Sequence, residues 1–65
     1  MNDNKRRIAI AKKALEEMAG FDPYGWQSNL VDLLTDLRHF ADHKQLDFHA
    51  ALDSSYEHYL AERYE

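Results

Sequence analysis

The sequence predicts an all-α protein, a compact three-helix bundle with an antiparallel hairpin between the second and third helices. Three observations carry this. Apolar residues recur every three or four positions in three separate segments. The chain has only 2 Gly and 1 Pro in 65 residues, so helix breaks are confined to two short connectors. The second connector, residues 44–47, is short enough to make its two helices antiparallel neighbours.

The first helix is expected over residues 4–19, capped by Asp3 or Asn4. Ile8, Ala11, Leu15 and Met18 form its apolar stripe, and Gly20 stands where a left-handed C-terminal residue belongs. Lys5, Arg6 and Arg7 lie at the positive end of this helix dipole, and Glu16 and Glu17 at the negative end. Each such placement can cost about 0.3–1 kcal/mol. Exposed ends screen that cost; the sharper alternative is that the basic end docks on an acidic helix surface or on a partner. The connector "FDPYGWQS" carries Asp22-Pro23, a turn signal, together with Phe21, Tyr24 and Trp26. These aromatics are expected to close the open end of the core, with an exposed binding patch as the alternative.

The second helix is expected over residues 27–43 and has the strongest amphipathic pattern. With Leu30 set at zero and about 100° per residue, Leu33, Leu34, Leu37, Phe40 and Ala41 share its face. The third helix is expected over residues 48–64, with Asp47 as N-cap and Leu46 stapling onto the first turn. Phe48, Leu52, Tyr56 and Tyr59 would line its inner side. Residues 1–65 read as one domain.

A chain of this length buries about 60% of its unfolded surface and keeps roughly 3–5 kcal/mol of net stability. With 0 Cys, neither disulfides nor thiolate metal ligands are available. The apolar runs are two or three residues long, far short of a membrane span, and the chain reads as cytoplasmic. The net charge of −4 is unevenly spread. Residues 1–15 hold five basic side chains against Asp3, and residues 16–65 hold eleven acidic side chains against Arg38, Lys44 and Arg63. An acidic body of this kind repels nucleic acid and attracts basic surfaces.

The segment "DLLTDLRHFADH" (32–43) poses the chemical question. On the same wheel His39, Asp32, His43 and Asp36 fall at about 180°, 200°, 220° and 240°, opposite the leucines. His39 and His43 have a usable metal spacing, with Asp36 as a third ligand. The phrase "HFADH" lacks the glutamate of a helical zinc hydrolase, and an outward stripe lacks supporting groups behind it. A metal-dependent hydrolase on Asp36, His39 and His43 is therefore the weaker reading. A pyrophosphohydrolase would need more paired acids than Glu16-Glu17 and Asp32/Asp36 supply. Ser54 and Ser55 lie mid-helix, away from any strained nucleophile elbow. "KRR" at residues 5–7 could begin nucleic-acid contact, but the acidic remainder opposes it. No enzyme, no cofactor and no metal are expected.

What remains is an acidic surface. Asp32, Asp36, Asp42 and Asp47 run along the second helix and its turn, and Asp53 and Glu57, with Glu62 beyond, add the outer side of the third. Two acidic rows on a hairpin imitate the charge of a phosphate backbone and would compete for arginine- and lysine-lined channels.

Asp32-Leu33-Leu34, Asp36-Leu37, His39, Asp42, Asp47-Phe48, His58-Tyr59 and Ala61-Glu62 together resemble a family of very short proteins of bacterial prophages, plasmids and integrative elements. The pattern covers about half the chain. The whole chain, "FDPYGWQSNL" included, also resembles small anti-CRISPR inhibitors of type I systems. The resemblance implies a small phage-encoded binder without cofactors, acting in the host cytoplasm as a monomer or weak dimer. Its partner would be a CRISPR effector subunit with a basic DNA-binding surface, such as the one that reads the protospacer-adjacent motif. The alternative is a mobile-element structural or regulatory protein that dimerises through its aromatics.

Overall fold

A computed structural model describes residues 4–63. Among them are three helices and no strand: α1 (Asn4–Glu16), α2 (Trp26–Lys44) and α3 (Phe48–Glu62). Residue 64 and Asp3, one of the two candidate caps, lie outside the described residues.

α1 ends three residues earlier than its periodicity suggests. The Met18 N–H turns back to the Leu15 carbonyl at 3.3 Å, a tighter i→i+3 bond that closes the last turn. Gly20 then takes the left-handed conformation expected of it, at φ 82°. Phe21 follows, half-buried, and meets Trp26 edge to face with ring centroids 5.3 Å apart. The other connector aromatic does not join them: Tyr24 is 96% exposed, so the expected lid is formed by two rings, not three.

The connector is fixed by a polar pair. The Asn29 side chain accepts from the Asp22 N–H at 3.1 Å and donates to the Asp22 carbonyl at 2.8 Å. Asp22 in turn accepts the Tyr24 N–H on its own carboxylate at 2.9 Å, a short Asx turn. Asn29 is 2% exposed, which makes it the most buried side chain among the described residues. It meets both backbone groups of Asp22, whose carbonyl also accepts from the Gly25 N–H at 3.1 Å, and these bonds satisfy the Asn29 amide and permit its burial.

α2 ends in a Schellman motif. The Leu46 N–H reaches the Ala41 carbonyl at 2.8 Å and the Gln45 N–H reaches the Asp42 carbonyl at 3.2 Å. The left-handed residue this motif needs is Gln45, at φ 57°. A side chain there costs about 1–2 kcal/mol, part of which glycine's larger loss of freedom offsets. Gln45→Gly should therefore raise stability by about 0.5–1 kcal/mol and the melting temperature by a few degrees. A lower melting temperature would mean that the Gln45 side chain makes a contact worth more than its strain. α3 begins as expected, with the Asp47 carboxylate accepting the Ala50 N–H at 2.9 Å.

Packing is more open than the compact bundle expected. The Cα radius of gyration is 13.3 Å, against about 10.7 Å for a compact domain of this length. Only Ala41 (5% exposed) is a buried apolar residue among the described residues. Leu33, Phe48, Leu52 and Leu60 are half-buried. Leu30 and Leu37, placed by the wheel at the centre of the core, are each 43% exposed. Leu34, Phe40 and Ile8 are exposed as well. The expected inner tyrosines of α3 are a further correction. Tyr56 and Tyr59 are exposed and stack on each other, 6.3 Å between centroids, with the Arg63 guanidinium 5.5 Å from the Tyr59 ring. Arg38 covers Phe48 at 4.6 Å and so ties α2 to the first turn of α3.

Candidate protein-binding surfaces

The six acidic residues singled out in the sequence are all exposed: Asp32, Asp36 and Asp42 on α2, Asp47 before α3, and Asp53 and Glu57 on α3. Among the described residues no ion pair engages them. They do not play one role. Asp32 and Asp36 are four apart, as are Asp53 and Glu57, so each pair forms a row on its helix surface. Asp42 lies about 80–120° around α2 from the first row. Asp47 is occupied as the cap of α3, which leaves it less free to meet a partner than its sequence position suggests.

Glu62 leaves the outer row altogether. Its carboxylate pairs with Arg7 at 3.3 Å, and its carbonyl accepts from the Asn4 side chain at 3.1 Å. This latch joins the start of α1 to the end of α3. It gives Arg7 an acidic helix surface to dock on, which is the sharper of the two readings of the basic segment. Asn4 also accepts from the Arg7 guanidinium, at 3.4 Å. Lys5 and Arg6 remain exposed.

Asp36, His39 and His43 are exposed on α2, and no group of three or more His, Asp or Glu side chains comes together in a metal-binding arrangement among the described residues. His58 is exposed too.

The second surface is apolar; its aliphatic residues were expected in the core, and Trp26 in the core lid with an exposed patch as the alternative. Ile8, Ala11, Lys12 and Leu15 of α1 and Trp26 of α2 line an open groove of about 360 Å³. Leu30, Leu34 and Leu37 continue the Trp26 stripe along α2. The stripe closes only at its far end, where Ala41 is buried. On α2 the apolar stripe and the Asp32/Asp36 row lie on opposite sides, so one helix separates an oily face from an acidic one.

No helix among the described residues is long and apolar enough to cross a membrane. No family model matches the chain, and neither a curated protein nor a solved structure matches it. The class the fold and surfaces define is that of a small, open helical bundle.

Proposed function

We propose that this chain is a non-enzymatic, stoichiometric inhibitor that works by protein–protein contact. It is an anti-CRISPR protein that occupies a basic DNA-binding surface of a type I effector complex and blocks target DNA recognition. The observation that carries the reading is the exposure of the acidic rows: Asp32, Asp36, Asp53 and Glu57 face outward, free of internal cations among the described residues. Charge left unpaired on a folded surface raises the encounter rate with a basic partner and penalises like-charged ones. The resemblance of the whole chain to small anti-CRISPR inhibitors suggests the particular class, and that of residues 30–62 to short mobile-element proteins is in keeping with it. In this reading α2 and α3 act as an antiparallel hairpin that presents the rows side by side, and the protein works in the cytoplasm of a bacterial host.

The test is capture from a lysate of bacteria carrying a type I CRISPR system, with the tagged chain as bait and mass spectrometry as readout. The expected result is enrichment of effector-complex subunits. Their absence, with the chain folded and in excess, would defeat the reading.

A further inference from the structure

We propose that a second copy of this chain covers the apolar face between α1 and α2, so that the functional unit is a symmetric dimer. The inference stands apart from the acidic face and holds whatever that face binds.

The area missing from the monomer points to it. The chain exposes 5777 Å². A compact monomer of 7.7 kDa would expose about 4,300 Å². The surplus is about 1,500 Å² per chain, shared between this face and other exposed apolar residues such as Phe40, Tyr56 and Tyr59. If this face carries about half of it, two copies would hide about 1,500 Å² in total, within the roughly 1,200–2,000 Å² of stable specific interfaces.

The chemistry of the face agrees. Ile8, Leu15, Trp26, Leu30 and Leu37 present an oily surface, and none of the groove-lining residues is acidic. Lys12 is the single charged residue of the groove. Permanent homodimer interfaces are apolar in this way, whereas surfaces for transient partners keep more charge. The Asp32/Asp36 row lies on the other side of α2, so two net-negative chains can meet here without opposing those carboxylates. A two-fold axis also suits the shape. The same face carries a recess at Trp26 and α1 and the exposed Leu30 and Leu37 beside it, so each copy can offer its leucines to the other's recess.

The test is sedimentation equilibrium of the whole chain at micromolar concentration, together with melting at several chain concentrations. The expected mass is twice 7.7 kDa, with a melting temperature that rises as concentration rises, because association is part of folding. Leu30→Lys places a charge on the face and should give the single-chain mass or a large loss of melting temperature. Val31→Lys, about 100° around the helix at an exposed position, should leave the wild-type mass unchanged. A folded wild type of single-chain mass at 100 μM, with melting independent of concentration, would overturn the proposal. A trimer or larger assembly would overturn it too, since a closed pair would then not be the occupant.

Discussion

Asn29→Ala should come close to unfolding the protein. The substitution removes the acceptor of the Asp22 N–H and the donor to the Asp22 carbonyl together. Two hydrogen bonds to buried or partly buried groups contribute about 2–3 kcal/mol once the desolvated partners are counted. The whole domain has roughly 3–5 kcal/mol to lose. At fixed chain concentration the melting temperature should fall by on the order of 10–20 °C. Asn29→Asp is a sharper probe. It keeps an acceptor for the Asp22 N–H but sets a carboxylate oxygen against the Asp22 carbonyl, so it should be at least as damaging. Wild-type melting of Asn29→Ala, followed by circular dichroism, would show that the first connector is held by its aromatics and not by this pair.

Neutralising the acidic rows should abolish partner binding while leaving the fold intact. The variant carries Asp32→Asn, Asp36→Asn, Asp53→Asn and Glu57→Gln, all at exposed positions. If each charge contributes about 1 kcal/mol against a basic surface, affinity falls on the order of 100- to 1,000-fold. Wild-type affinity should also weaken as salt rises above physiological strength, where charge attraction is screened within about 8 Å. His39→Ala with His43→Ala changes the neighbouring polar positions without removing negative charge, and should bind within a few-fold of wild type. Full binding by the neutralised protein beside a dead histidine variant would reverse the assignment and make the "HFADH" stripe the active element.

The helices were legible because their signals are local. A 3.6-residue period, Asp47 at a cap and Gly20 at a left-handed turn each act within a few residues, and the structure has all of them. Gln45 was not legible as a left-handed residue, because Gly and Asn are the types that signal this position. Asn29 was not legible as core for a different reason. It falls at about 260° on the α2 wheel, at the border between the polar arc and the apolar face, and Asp22 returns from the connector to pair with it. Periodicity reports which face is apolar but not what covers it. Leu30 and Leu37 were read correctly as the apolar face and wrongly as the interior of one chain. Of the candidate binding residues, Asp32, Asp36, Asp53 and Glu57 could be placed outward from spacing alone. The Asp47 cap was legible from its position before α3, whereas the Glu62 latch depends on α1 lying against the end of α3, a contact between residues 58 apart.

A titration measures the proposed inhibition by occupancy directly. Purified type I effector complex is held with labelled target DNA, and the chain is added in rising amounts while DNA binding is read by fluorescence anisotropy. DNA binding should fall in proportion to the chain added and be lost at a fixed stoichiometric ratio, with no cofactor or metal supplied. Undiminished DNA binding at saturating chain, or loss of binding at far less than one chain per complex, would contradict it, the first by removing the target and the second by revealing turnover.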